Sequence, residues 1–351
     1  MLFYIHQTNC ISPQETVDPD SPGRLKEPVN NKLQAVEPVY QGIPPGMLRR
    51  MGKAVRLGVG AAMPVVLAGA QPLDGIIIGT SMGGLEDCIR FLNQVIEYNE
   101  GMLTPTNFVQ STPNAIAGQL GVLSKNKGYN TTHVHRGFAF ENAIIDAAML
   151  LKEVPDRNYL IGGVDEISDY NYNIEYLGGW YKKEIIAASD LYTSGSIASI
   201  AGEGAAMFRV NTVAAGATAQ VKAIHIFQTN DEAVVRDQIT LFLKKQLAEG
   251  KKPDLLLSGE NGDSRFLKFY TLCESVVGHD VPVARFKHLM GEYPAVSCMA
   301  LWLACEFIKK NRVPEHLLKK KIAGLPELND VFIYNNFKGL QHSVMLVGAA
   351  G

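Results

Sequence analysis

Two histidines one residue apart, His133 and His135, are followed by Glu141, one to two helical turns into the next element. In an extended segment that spacing puts both rings on one face, so a general base or a metal site is conceivable. The competing reading is a hydrogen-bonded histidine pair beside a buried helix. Two histidines without a clear third ligand are a weak metal signal, and neither a metal nor any other cofactor is expected. Arg136 and Glu141 read as a charge pair where the chain passes into the core, because an unpaired buried charge is costly. A second group lies near the C-terminus, Lys287-His288-Leu289-Met290-Gly291-Glu292, in which Lys287 is expected to position a loop. Phe337 serves either core packing or the lining of a cleft.

The elements that carry these residues alternate between strand and helix. Leu73 to Gly79 is a β-branched run stopped by glycine, as a buried strand should be. It follows a predicted helix over Pro45 to Ala68. The turn Gly79-Thr80-Ser81-Met82-Gly83-Gly84 has neither the dinucleotide nor the P-loop spacing, so its glycines are read as allowing close backbone packing. Tyr129 to Val134 is a β-type segment that leads into a helix, Phe138 to Leu151, with apolar residues on nearly every face. The second half repeats the plan more loosely. Asp254 to Gly259 is a strand and turn, Ala295 to Ile308 an apolar helix, and Val331 to Asn335 with His342 to Val347 a hairpin about Lys338-Gly339. An α/β protein of two related halves, 1–210 and 211–351, is expected, with an exposed loop near 14–31 that is rich in Pro, Asp and Asn.

Composition removes several classes of function. The 351 residues are 46% hydrophobic with a net charge of -2, enough to bury a large core and without the basic footprint of a nucleic-acid binder. The short runs Lys251-Lys252 and Lys319-Lys320-Lys321 read as solvated helix ends. The five cysteines, Cys10, Cys88, Cys273, Cys298 and Cys305, are odd in number and lack metal spacing, which fits a reducing, cytoplasmic setting. There is no signal-peptide pattern at the N-terminus, and the longest apolar stretch, Leu57 to Ala68, falls short of the roughly 20 residues of a membrane span.

Several segments together resemble the β-ketoacyl synthase family of the thiolase-like superfamily. Ile76 to Leu85 is similar to the family's strand and glycine turn, and Pro44 to Ala61, with Arg49-Arg50-Met51, to the helix before it. Pro105 and Asn114, Ile161-Gly162-Gly163-Val164-Asp165-Glu166, Gly202-Glu203-Gly204, Lys287 with Gly291, and Asn335-Asn336-Phe337 continue the match in order. The resemblance implies a layered αβαβα fold of two thiolase-like halves, an obligate dimer, and condensation of acyl groups carried on an acyl carrier protein. That chemistry needs a cysteine thiolate at the start of the buried helix and two histidines aimed at the developing oxyanion.

All three are absent from the matching positions. With Asp146-Ala147-Ala148 in step with the family's helix, the cysteine position falls on Gly137, followed by Phe138. The first histidine position falls near Gly259 and the second on Glu292, whose carboxylate would repel an enolate. The resemblance therefore implies a non-condensing, chain-length-factor-like subunit that pairs with an intact ketosynthase or with itself, and works with an acyl carrier protein. The alternative is an acyl-thioester enzyme with a remodelled site that uses His135, Glu141 or Glu292. A scaffold without an acyl cleft is the third reading.

Overall fold

The computed structural model describes residues 2–14, 25–40, 42–322, 324 and 327–351. Its strands are β1 (Phe3–Ile11), β2 (Lys32–Leu33), β3 (Gly75–Gly79), β4 (Tyr129–His133), β5 (Tyr159–Asp165), β6 (Ala201–Gly202), β7 (Gly204–Asn211), β8 (Ala219–Gln228), β9 (Leu255–Ser258), β10 (Val283–Arg285), β11 (Leu318–Lys320), β12 (Asp330–Phe337) and β13 (Gln341–Ala349). Its helices are α1 (Pro45–Leu48), α2 (Lys53–Ala68), α3 (Leu85–Glu97), α4 (Pro105–Gln110), α5 (Ala115–Ser124), α6 (Ala139–Glu153), α7 (Asp169–Leu177), α8 (Glu232–Gln246), α9 (Leu267–Val277), α10 (Lys287–Met290) and α11 (Ser297–Lys310).

Among the described residues the main sheet runs β11-β10-β9-β12-β13-β8-β1-β7-β5-β3-β4. At its centre β1 and β8 pair antiparallel. Outward on one side, β7 and β5 follow antiparallel, then β3 and β4 parallel. On the other side, β13 and β12 follow antiparallel, then β9 and β10 parallel. The same pairing pattern is thus used twice.

Alternation along the central strands sorts side chains into separate layers. Ile76 and Ile78 of β3 pack under α2 and α5, whereas Ile77 faces the middle core with α6 and α11. In the other wing, Leu255 and Leu257 join the same middle core, while Leu256 packs against α8 and α9. Strands sandwiched on both faces are apolar throughout, which is why β3, β5 and β9 read as continuous hydrophobic runs. The result is helix, sheet, helix, sheet, helix, with α6 and α11 in the middle layer.

The expected helix over 45–68 is broken between α1 and α2. Gly52, with extended backbone, caps the new helix, a Cβ there would fall 1.6 Å from Asp87 Oδ2, and α2 starts afresh with Ala54 N donating to Glu166 Oε2 at 3.0 Å. Of the expected exposed loop at 14–31, residues 15–24 lie outside the described residues. Towards its far end Glu27, Val29 and Asn30 are exposed as expected, and the loop is then anchored by Asn31, which is buried and donates to the carbonyls of Lys182 and Glu184. Lys319 is not at a helix end either. It lies on β11, where its ammonium bridges Glu260 and Glu274, each at 2.6 Å. No helix among the described residues is long and apolar enough to cross a membrane.

Candidate functional site

Asp165 ends β5 in full burial and ties two distant segments together. Its Oδ1 accepts from Ser81 N at 2.7 Å and Thr80 Oγ1 at 3.0 Å, while Oδ2 accepts from Ala295 N at 2.9 Å. Burial raises its pKa to about 6 against the lowering effect of those hydrogen bonds. The glycine turn after β3 is thereby fixed opposite the segment between α10 and α11. That segment is pinned from a third side: Glu292 N donates to Ile200 O at 2.8 Å, and Gly202 N donates to Glu292 O at 3.1 Å. Gly291 has φ +72°, and a Cβ there would meet Gly202 Cα at 2.4 Å, so the close approach requires glycine.

These segments enclose a cavity of about 250 Å³. Ser81 and Met82 form one wall, Glu292, Tyr293 and Pro294 the floor, and Asn261 and Asp263 the side after β9. Trp180, Phe266, Phe337 and Lys338 face it from the hairpin side, with Asn171 and Glu175 of α7 above and Arg136 at the mouth. Each carboxylate on this cavity holds a cation. Glu175 pairs with Lys338, Asp263 with Arg265 at 2.5 Å, and Glu292 Oε2 with Lys287 Nζ at 2.7 Å. Asn261 Nδ2 donates to the same Glu292 oxygen at 2.8 Å. Lys287 is fully buried, and burial holds its pKa below the usual lysine range against the attraction of Glu292.

Of the residues singled out in the sequence, Arg136, Glu292 and Phe337 line the cavity, and Lys287 lies behind Glu292. The others point elsewhere. His133 Nε2 is 2.9 Å from Asp146 Oδ2, and His135 Nδ1 is 2.9 Å from Asn142 Nδ2. The two rings do share a side, since residues 142 and 146 are successive positions on one face of α6. Glu141 turns the other way, into the core, where its Oε1 accepts from Ser343 Oγ at 2.8 Å and burial raises its pKa to about 7. The expected Arg136–Glu141 pair is therefore not formed: left-handed backbone at Arg136, φ +48°, turns its side chain out to the mouth. Phe138 is buried, edge-on to the His135 ring. No group of three or more His, Cys, Asp or Glu among the described residues is arranged to hold a metal ion.

The positions matched to the condensation residues are also filled sterically. A Cβ on Gly137 would lie 2.5 Å from Phe337 Cβ, and Gly137 N donates to Gln341 Oε1 at 3.0 Å. A Cβ on Gly259 would lie 2.3 Å from Asn335 Oδ1. The cavity thus has room and polar groups for a ligand; its described lining includes no cysteine, and its three carboxylates are each paired with a cation.

Trp180, Tyr181, Asp263 and Phe266 were not singled out from the sequence. They come from irregular segments that only the tertiary fold brings together, and they carry no periodic signal.

Residues 24–189 match the family model for the N-terminal domain of β-ketoacyl synthase. No curated protein matches the chain. Among solved structures, a β-ketoacyl synthase from Burkholderia phymatum STM815 is similar at TM-score 0.77 and 15% identity, with 99% of each chain covered. The ishigamide ketosynthase/chain length factor is similar at TM-score 0.78 and 15% identity, again over 99% of each chain. The ketosynthase ApeO in complex with its chain length factor ApeC, from Xenorhabdus doucetiae, gives 0.74 at 13% identity, over 99% of this chain and 98% of that one. The expected resemblance is borne out, and the fold is the layered thiolase-like fold of the ketosynthases.

Proposed function

From a ketosynthase-fold chain whose residues 24–189 match the N-terminal domain of β-ketoacyl synthase, we propose a non-condensing subunit that pairs with an intact ketosynthase in fatty-acid or polyketide assembly, as a chain length factor does. The observation that carries the reading is the closure of the nucleophile position, where Phe337 and Gln341 occupy the space a cysteine side chain at 137 would need. Loss of the histidines alone would leave an acyl-enzyme possible; a filled thiol position does not. The two halves of the proposal's fold divide between β7 and β8, at about residue 211. A reducing, cytoplasmic setting accords with five unbonded cysteines.

The surface supports pairing. β4 is one of the two edge strands of the sheet, and Val122 of α5 and Met149 of α6 flank it with 67% and 61% of their surface exposed. An unpaired edge between exposed apolar residues is a template for a second chain. Arg49 and Arg50 are exposed beside a groove that Lys53, Arg56 and Arg90 also line. Lys53, Arg56 and Arg90 are held in ion pairs and Glu86, Asp87, Glu166 and Asp169 line the same groove, so Arg49 and Arg50 at its rim are the charges offered to an acidic carrier protein. Glu166 and Ile167 on the groove also line the small pocket that shares Ser81, Met82 and Tyr293 with the cavity.

The test is co-expression with an intact ketosynthase. A stable one-to-one complex whose product length differs from that of the ketosynthase alone supports the proposal. Failure to associate, with product length unchanged, favours the scaffold reading.

A further inference from the structure

The charges around the cavity do not cancel. Glu175, Asp263 and Glu292 are neutralised by Lys338, Arg265 and Lys287, whereas nothing among the described residues pairs with the Arg136 guanidinium. Arg136 lies at the mouth, lining both the cavity and the outer groove that continues it past Val134, His135 and Gln228. Its backbone, φ +48°, is left-handed; the φ +54° of Lys338 across the mouth belongs to the hairpin turn between β12 and β13. Non-glycine residues persist in that conformation where the surrounding structure fixes them, and such positions cluster at ligand clamps.

The inner wall has the opposite need. Glu292 Oε1 and Tyr293 Oη are buried and have no hydrogen-bond partner among the described residues, whereas buried polar atoms are ordinarily satisfied. Between mouth and floor the lining is apolar and aromatic, with Met82, Trp180, Phe266 and Phe337. At about 250 Å³ the space is smaller than the roughly 300–1,000 Å³ of pockets for drug-sized ligands.

We infer that the cavity binds a small free monocarboxylate carrying a hydrogen-bond donor at its far end. The carboxylate meets Arg136, the apolar body packs against Trp180 and Phe337, and the donor reaches Glu292 Oε1. The Lys287 ammonium on the other oxygen makes Glu292 a neutralised acceptor rather than a repelling charge. No bond is made or broken. The site stands whether or not the chain pairs with a ketosynthase, because every residue in it belongs to this chain.

The purified full chain is titrated with hexanoate, ω-hydroxyhexanoate, hexanamide and phosphopantetheine. Binding is read by calorimetry and by tryptophan fluorescence; Trp180 lines the site, and the other tryptophan, Trp302, is buried in α11. Hexanoate is expected to bind and shift the emission, ω-hydroxyhexanoate to bind more tightly, and hexanamide to bind at least about tenfold more weakly than hexanoate, as loss of a charge-assisted bond predicts. Arg136→Asn, which tolerates left-handed backbone, costs hexanoate a similar factor at unchanged melting temperature; Arg136→Gly is the second variant should Asn perturb the fold. Absence of carboxylate binding at millimolar concentration, or binding indifferent to both variants, overturns the inference. So does Arg136-dependent binding of phosphopantetheine alone, which would assign the mouth to the carrier arm.

Discussion

Phe337 covers Gly137 so closely that a β-carbon on residue 137 would come within 2.5 Å of its Cβ. The contact joins the hairpin turn between β12 and β13 to the start of α6, where a condensing enzyme would carry its thiol. Gly137→Cys is therefore expected to overpack the site and lower stability by about 1–3 kcal/mol. Phe337→Gly in the same chain, which removes the clashing Cβ itself, should recover part of that loss. Neither variant should condense acyl groups, because Glu292 and the Gly259 turn offer no histidine donors. Thermal melts and a condensation assay check both outcomes.

Lys287 and Glu292 are a buried pair, and breaking one partner leaves the other uncompensated. Lys287→Met is expected to cost about 3–5 kcal/mol, and the double variant Lys287→Met/Glu292→Gln to regain most of it. Denaturant unfolding of the single and double variants measures the difference. Equal losses in both would show that the pair is not coupled.

Buried carboxyls give the fold a pH dependence of definite sign. Glu141 has its pKa raised by burial from 4.5 to about 7, so the folded state holds that proton more tightly than the unfolded chain does. Its contribution favours folding below about pH 4.5 and is lost as pH rises through about 7. Asp165, raised to about 6, and Glu166, raised to about 7, act in the same direction. His288 and His342, lowered by burial to about 3 and about 4, act oppositely and destabilise the fold as pH falls below 6.5. The two sets offset each other in the whole protein, so the difference between variant and wild type is the informative quantity. Glu141→Gln should gain stability relative to wild type as pH rises from about 4.5 to 7, and no further above it. A difference that stays flat over that range contradicts the assignment.

The two surfaces can be tested separately. Val122→Asp with Met149→Asp should abolish association with an intact ketosynthase while changing monomer stability by no more than about 1 kcal/mol, since both residues are exposed. Arg49→Glu with Arg50→Glu should weaken carrier-protein binding by about tenfold or more and flatten its salt dependence, leaving subunit pairing intact. Pull-down and binding titrations at two ionic strengths distinguish the two effects.

Much of the scaffold was legible in the sequence because burial on both faces leaves a strong trace. Ile76-Ile77-Ile78, Leu255-Leu256-Leu257 and the hairpin about Lys338-Gly339 stand where composition and turn chemistry put them. The break before α2 was not legible, because Gly52 is dictated by Asp87, a contact across the fold. The site was readable only in part. Glu292, Arg136 and Phe337 could be singled out by their places in the matched segments. The partners of Glu292 and Glu141, and the aromatic wall of Trp180 and Phe266, depend on tertiary contacts that spacing does not encode. The expected Arg136–Glu141 pair failed because Glu141 turns into the core to accept from Ser343, while Arg136, on left-handed backbone, lines the mouth.

The central claim is most directly tested by a condensation assay with acyl and malonyl carrier protein, run with this chain alone, with an intact ketosynthase alone, and with both. The account predicts no turnover by this chain alone, and a change in rate or product length only in the mixture. Turnover by this chain alone that survives substitution of all five cysteines would contradict it, and would place an independent catalytic site on the cavity at Glu292 or at its mouth.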